Sequence, residues 1–89
     1  MSLLSRLFGS KPPEPPKAED YKSFRITPEP IREGSQFRIA ARIEKTIDGT
    51  PRRHQLIRAD TMGALDEATA ISLGKARQII DEQGDKLFG

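Results

Sequence analysis

The sequence predicts an α+β fold in which one C-terminal α-helix packs on one face of a three-stranded antiparallel sheet (βββα), after a flexible proline-rich arm. Three observations predict it. Residues 36–44 alternate between apolar and polar side chains, which is the period of a strand with one buried face. The Asp48-Gly49 pair then marks a hairpin turn. After residue 60 the apolar residues recur at helical spacing.

The arm occupies residues 1–20, which we expect to be disordered, and the domain occupies residues 21–89. The run Lys-Pro-Pro-Glu-Pro-Pro-Lys predicts an extended, semi-rigid linker. The first nine residues carry an apolar stripe but are too few to form a stable free helix. This stripe consists of Leu3, Leu4, Leu7 and Phe8. Three interpretations of it stay open: a frayed terminus, a docking peptide, or a foot on a membrane surface.

The first predicted strand covers residues 21–27, where Phe24 and Ile26 share one face. Pro28 and Pro30 end it, because proline cannot donate a hydrogen bond to a sheet ladder. We therefore expect this strand at a sheet edge, with a bulge or a change of direction at the prolines. A turn at Glu33-Gly34-Ser35 leads into the central strand.

The register of the main hairpin depends on the length of its loop. A two-residue turn at the Asp-Gly pair would mix the apolar and polar faces of the two strands. A three-residue loop, residues 47–49, instead pairs Ile39 with Ile57. We favour this register, which also places Arg38 opposite Arg58 on the outer face. Two facing arginines are mildly destabilising, so three interpretations stay open: they extend into solvent, contact Asp60, or bind an anion.

The predicted helix has a broad apolar stripe that covers the inner face of the sheet. The stripe consists of Leu65, Ala68, Ile71, Ser72, Ala76, Ile79 and Ile80. Thr61, Gly63 or Asp66 is expected to cap its start and Gly84 its end. Gly74 lies inside the helix, where it predicts close backbone packing on the sheet.

A second apolar line on the helix has a spacing of seven residues. It consists of Leu73, Ile80 and Leu87. We favour the edge of the core for this line over a contact with a partner subunit.

Composition limits the functions open to the chain. Its 89 residues form one small domain, and a net charge of +2 with pI near 9.2 is too weakly basic to indicate nucleic-acid binding alone. The chain has no cysteine and one histidine, so we expect no disulfide, metal or cofactor. No catalytic group, glycine-rich phosphate loop or small-molecule site is evident, and we expect no enzymatic activity. The chain has neither a long apolar run nor a leader, which predicts a cytoplasmic protein without a membrane span.

Three stretches of the sequence carry a family resemblance: Phe-Arg-Ile-Thr-Pro-Glu-Pro at 24–30, Gly-Ser-Gln-Phe-Arg-Ile-Ala-Ala-Arg-Ile at 34–43, and Leu-Ile-Arg-Ala-Asp-Thr-Met-Gly-Ala-Leu-Asp-Glu-Ala at 56–68. They resemble the small bacterial family labelled transcriptional activator HlyU. The resemblance covers residues 21–89, and the Leu-Phe-Gly start and proline linker are also typical of that family. Its label implies gene regulation.

Two hypotheses of function follow from these patterns. The first is a transcriptional regulator that binds DNA through a basic outer sheet face, because arginine forks suit phosphate contacts. The residues expected to contact nucleic acid are Arg25, Arg38, Arg42, Arg52, Arg53 and Arg58. The alternative is a non-enzymatic adaptor that binds another protein or a second copy of itself. Its binding surface would be the N-terminal Leu3, Leu4, Leu7 and Phe8, the edge strand, or the apolar line on the helix.

Overall fold

The computed structural model describes residues 17–89, which form an antiparallel sheet with one long helix on one face. The α+β class is as predicted, but the sheet has five strands rather than three. The elements are β1 (Glu19–Tyr21), β2 (Phe24–Pro28), β3 (Ile31–Glu33), β4 (Gln36–Ile47), β5 (Thr50–Met62), α1 (Leu65–Gln83) and a 3₁₀ helix (Gly84–Phe88). Strand β1 starts two residues before the predicted start of the domain. The apolar stripe predicted in the first nine residues lies outside the described part of the chain.

The first predicted strand is wrong in its continuity, because the chain makes a tight turn inside it. Lys22 and Ser23 form this turn, with φ of 50° and 72°, and they join β1 to β2. Both residues have left-handed backbone conformations, which L-amino acids disfavour. Such a turn is usually formed by Asn-Gly, and Lys-Ser gives no comparable signal in the sequence. Strand β2 is therefore not an edge strand. Pro28 is still tolerated, because β1 pairs with β2 only as far as Ile26.

The predicted interruption at the prolines is confirmed. Strand β2 ends at Pro28, and β3 starts at Ile31; both pair with the same side of β4. Between them, the Glu29 N–H donates to the Ala40 carbonyl at 2.9 Å. The two short strands thus act as one interrupted partner for β4.

The favoured register of the main hairpin is wrong. Asp48 and Gly49 alone form the turn, with φ of 51° and 78°, and Ile47 pairs with Thr50. Two positive φ values are those of a type I′ turn, whose twist matches that of the strands and which an Asp-Gly pair favours. The turn chemistry therefore overrides the matching of apolar faces in this hairpin.

A bulge in β5 ends the segment in which this register holds. Ala40 pairs with Ile57 and Arg38 with Thr61, so residues 58–60 of β5 lie opposite Ile39 alone. Ile39 is fully buried, whereas Ile57 is on the opposite face and is 55% exposed. The sheet keeps its inner face apolar at the cost of one exposed isoleucine.

Side chains satisfy the backbone groups at the bulge and at the break between β2 and β3. The Arg38 guanidinium donates to the carbonyls of Arg58 and Ala59, both at 3.1 Å. On the other face of β4, the Ala40 N–H donates to Ser72 Oγ at 3.1 Å. Ser72 therefore lies in the apolar stripe of the helix because its hydroxyl accepts a hydrogen bond from a buried backbone amide.

Helix α1 packs on the sheet through four buried residues spaced four apart, which are Ala68, Ser72, Ala76 and Ile80. They pack against inward side chains of β2, β4 and β5. The core they form with the sheet and the 3₁₀ helix comprises Phe24, Ile26, Ala41, Ile43, Leu56, Ala76, Ile80 and Leu87. Leu73 lies against this cluster, which confirms that the line Leu73, Ile80 and Leu87 is the edge of the core.

The ends of the helix are only partly as predicted. Gly84 ends α1 with φ of 54°, and its N–H donates to the Ile80 carbonyl, as expected. The N-cap position is Ala64, which has no capping side chain, so the three predicted capping residues are wrong. Gly74 does not pack closely on the sheet, because it is exposed and a Cβ there would meet nothing within 4 Å.

Candidate nucleic-acid interface

The structure divides the six predicted arginines between the two faces of the sheet. Arg25, Arg38, Arg42 and Arg53 lie on the outer face, which the helix does not cover. Arg52 pairs with Lys45 on the opposite face, and Arg58 lines a small cavity together with residues of α1. The predicted facing of Arg38 and Arg58 across the outer face is therefore wrong, because Arg38 pairs with Thr61 and the bulge redirects Arg58.

Arg38 has a structural role in the fold. Its Nε and Nη2 donate to the two carboxylate oxygens of Glu33 at 2.5 and 2.6 Å, while Nη1 donates to the bulge carbonyls. These hydrogen bonds hold the pKa of the Glu33 carboxyl below its ordinary value. All three nitrogens of the guanidinium are occupied, so Arg38 has no free fork for a phosphate.

Arg42 is neutralised by two carboxylates. Its Nη1 lies 3.0 Å from Glu29 Oε2, and its Nε lies 3.3 Å from Glu44 Oε1. The Nε contact is close enough for an ion pair, but it does not have the geometry of a hydrogen bond. Arg25 is less committed, because its Nε is 3.7 Å from Asp20 and its side chain is 63% exposed.

The outer face as a whole is balanced in charge. Its four arginines, two on β4 and one each on β2 and β5, are matched by Asp20, Glu29, Glu33 and Glu44. A face on which most cations already contact carboxylates has little net field to attract a polyanion. The expected basic sheet face is thus mostly a network of exposed ion pairs.

The arginines of β5 differ from those of β4. Among residues 17–89, Arg52, Arg53 and Arg58 have no carboxylate within 4.0 Å and no hydrogen-bonded side-chain partner. All three residues are exposed. Arg52 and Arg58 are six residues apart on the same strand, which corresponds to about 20 Å. Strand β5 therefore carries three guanidinium groups without a carboxylate in contact: Arg52 and Arg58 on the helix side, and Arg53 on the outer face, where Glu44 is its cross-strand partner.

An open groove lies where β5 starts, between the β1–β2 turn and the tip of the main hairpin. Its volume is about 790 Å³, and its basic lining consists of Arg25, Lys45, Arg52 and Arg53. Lys45 is partly committed, because its Nζ lies 2.7 Å from Asp85 and 4.6 Å from the ring centre of Phe24. Glu44 and Asp20 also line the groove, which leaves an excess of positive charge.

A second basic position lies at the other end of β5. A cavity of about 90 Å³ separates the strand from α1 there, and Arg58 and Lys75 line it with Glu82. Lys75 was absent from the predicted site, because the helical pattern gives no indication of which strand faces that side of α1. The structure thus places one further lysine beside Arg58.

The described residues also bear on membrane spans and metal sites. No helix among residues 17–89 is long and apolar enough to cross a membrane. No group of three or more His, Asp or Glu side chains in the same range could hold a metal ion. The predicted partner-binding residues Leu3, Leu4, Leu7 and Phe8 lie outside this range.

The sequence matches a known protein family. No curated protein and no solved structure is significantly similar to the chain. A family model described as "Transcriptional activator HlyU" matches residues 2–88, which is nearly the whole chain and includes all three stretches that carry the resemblance. The chain belongs to the HlyU family.

Proposed function

We propose that the protein is a transcriptional regulator that contacts the phosphates of nucleic acid through β5, with Arg52, Arg53 and Arg58 as the contact residues. The observation that supports this most directly is that none of the three has a carboxylate within 4.0 Å among residues 17–89. A guanidinium that is not already paired can form a charge-assisted, bidentate contact with a phosphate. Arg38 and Arg42 would first have to give up their existing partners.

The shape of the hairpin supports the same surface. Strands β4 and β5 remain paired as far as Ile47 and Thr50, beyond the last pairing of β2 with β4 at Glu44. A two-stranded ribbon can enter the major groove of duplex DNA. Arg52 and Arg53 lie near the base of this tip on opposite faces, so both walls of a groove would be within reach.

The proposed function is binding without a catalytic step. Phosphate contacts alone give binding with little sequence preference, because sequence is read at the base edges. The short polar side chains at the tip, Thr46 and Thr50, are the available groups for such contacts. Arg25, at the rim of the groove, adds a fourth cation with only a distant carboxylate.

The experiment is binding of a fluorescent 20-base-pair duplex of generic sequence, followed by anisotropy at low salt. Arg52→Gln, Arg53→Gln and Arg58→Gln should each weaken binding. Arg42→Gln is the matched control, because it removes the same charge from a guanidinium that Glu29 and Glu44 already hold. Equal weakening by the control would mean that only net charge matters, and no binding by the wild-type protein would refute the proposal.

A further inference from the structure

Strand β5 has a free edge. It pairs with β4 along its length, and no other element of residues 17–89 pairs with it. At thirteen residues it is the longest strand of the sheet. An uncovered strand of this length offers its outward N–H and C=O groups to any extended chain that can pair with them.

The hairpin turn determines which amides point outward. A two-residue turn makes Ile47 and Thr50 a hydrogen-bonded pair, and the pairs then alternate along the ladder. Residues 52, 54 and 56 therefore bond to β4, and residues 51, 53, 55 and 57 face outward. Pro51 has no N–H to offer, and the bulge starts after Ile57. The regular open edge thus runs from Arg53 to Ile57.

The side chains next to this edge give it a chemical character. Arg52 and Arg58 lie on the helix side, at the two ends of the open segment, and neither has a carboxylate partner among the described residues. Ile57 is on the outer face and is 55% exposed. The edge therefore combines cations on one face with an apolar side chain on the other.

This arrangement disfavours a second copy of the chain as the occupant. Two-fold pairing that uses the whole open segment is centred on Gln55, which is midway between Arg53 and Ile57. That register places Arg52 of each copy opposite Arg58 of the other, and like charges directly opposite each other destabilise a sheet. A strand that places carboxylates opposite Arg52 and Arg58 would instead be stabilised by attraction between opposite charges.

We propose that the open edge of β5 binds an extended acidic segment of a partner protein, which adds to the sheet as a sixth strand. The carboxylates of the segment lie on the helix side, opposite Arg52 and Arg58, and an apolar residue packs beside Ile57. Backbone hydrogen bonds to Arg53, Gln55 and Ile57 hold the strand. This inference does not depend on the DNA contact, although the two ligands would compete for Arg52 and Arg58.

The test uses a ten-residue peptide of alternating glutamate and valine, which places all its carboxylates on one face. Binding is measured by calorimetry and by amide shifts of the labelled protein. Gln55→Pro removes one outward donor without a change of charge, and proline is acceptable there because Pro51 occupies an equivalent outward position. Gln55→Ala is the matched control, since both variants lose the long side-chain contacts at 3.4 Å to Glu29 and to the Ala41 carbonyl.

We expect the peptide to shift the amides of Arg53, Gln55 and Ile57, and Gln55→Pro to weaken binding by about tenfold or more while Gln55→Ala does not. A peptide of alternating lysine and valine should not bind. If Gln55→Pro fails to fold, an acidic peptide N-methylated at alternate amides makes the same test, and it should lose binding. Equal binding by the proline variant or by the lysine peptide would overturn the proposal, as would no binding of the acidic peptide. Duplex DNA binding should be unchanged in Gln55→Pro, which separates this inference from the proposed function.

Discussion

Ser72→Ala tests the most specific packing feature of the fold. Ser72 and Ala40 are both fully buried, and the Ser72 hydroxyl accepts the Ala40 N–H at 3.1 Å. Ala40 lies at the break between β2 and β3, where no strand residue supplies a carbonyl to this amide. The substitution would leave a buried donor without a partner.

The expected loss can be worked out from these contacts. An unsatisfied buried donor costs about 1–3 kcal/mol. Alanine is a better helix former than serine and returns about 0.5 kcal/mol. The net loss in the free energy of unfolding should therefore be about 0.5–2.5 kcal/mol, measured by urea denaturation.

The control is Thr69→Ala on the same helix. The Thr69 hydroxyl donates to the Leu65 carbonyl at 2.9 Å, a carbonyl that α1 already bonds through its own backbone. Its loss should change stability by less than about 0.5 kcal/mol. Hydrogen exchange of the Ala40 amide gives a local readout, and it should accelerate only in Ser72→Ala. Unchanged stability and unchanged exchange at Ala40 would refute the reasoning.

Three further predictions concern stability. Gly74→Ala should stabilise the fold by about 1 kcal/mol in the same denaturation assay, because Gly74 is exposed inside a helix and a Cβ there meets nothing within 4 Å; destabilisation would reveal a contact at this position. Ser23→Gly should raise the melting temperature, with a gain of about 0.5–1 kcal/mol, because the left-handed conformation of residue 23 suits glycine; a lower melting temperature would contradict this. Hydrogen bonds from arginine lower the pKa of Glu19 and Glu33, and hydrogen bonds from Lys22 and Tyr21 lower the pKa of Asp81. These three carboxylates therefore stabilise the fold fully above their pKa in the unfolded chain, which is near 4, and this stabilisation is lost as pH falls through their lower pKa in the folded protein. The urea concentration at the denaturation midpoint should decrease as pH is lowered from about 5 to about 3, and Glu19→Gln should make that decrease smaller.

Local patterns were sufficient to predict much of the fold. The period-two alternation of β4, the helical stripe of α1, the cap at Gly84 and the break at Pro28–Pro30 all depend on neighbouring residues. The turn at Lys22-Ser23 could not be predicted in this way, because neither residue favours positive φ. Tertiary contacts accompany that turn: Lys22 Nζ and Tyr21 Oη both bond to Asp81 on the helix.

The hairpin shows how two local preferences can conflict. The Asp-Gly pair favours a two-residue turn, while the apolar pattern favours a register one residue away. The structure satisfies the turn: the resulting register pairs Ile57 with Ala40 and exposes it on the outer face, and a bulge follows opposite the buried Ile39. The sequence contains both signals but not their relative free energies.

The same register decides which arginines are available. In the sequence, Arg38 and Arg42 occur in strand patterns similar to those of Arg52 and Arg53. The pairing of β4 with β2 and β3 nevertheless brings Glu33 to Arg38 and Glu29 to Arg42. Among residues 17–89, no carboxylate lies within 4.0 Å of the β5 arginines, although Glu44 is the cross-strand partner of Arg53. Ion pairing across strands depends on register, so composition and alternation alone could not separate the two sets.

The salt dependence of DNA binding tests the central proposal most directly. Each phosphate neutralised on duplex DNA contributes a slope of about −0.9 to the logarithm of affinity against the logarithm of salt concentration, so three arginine contacts predict about −2.7. Each substitution of a contact residue should lower the magnitude of that slope by about 0.9, namely Arg52→Gln, Arg53→Gln and Arg58→Gln. The control Arg42→Gln should leave the slope unchanged. A wild-type slope near zero, or a slope in the triple Arg52→Gln, Arg53→Gln, Arg58→Gln variant equal to that of the wild type, would contradict the proposal that β5 is the phosphate-binding surface.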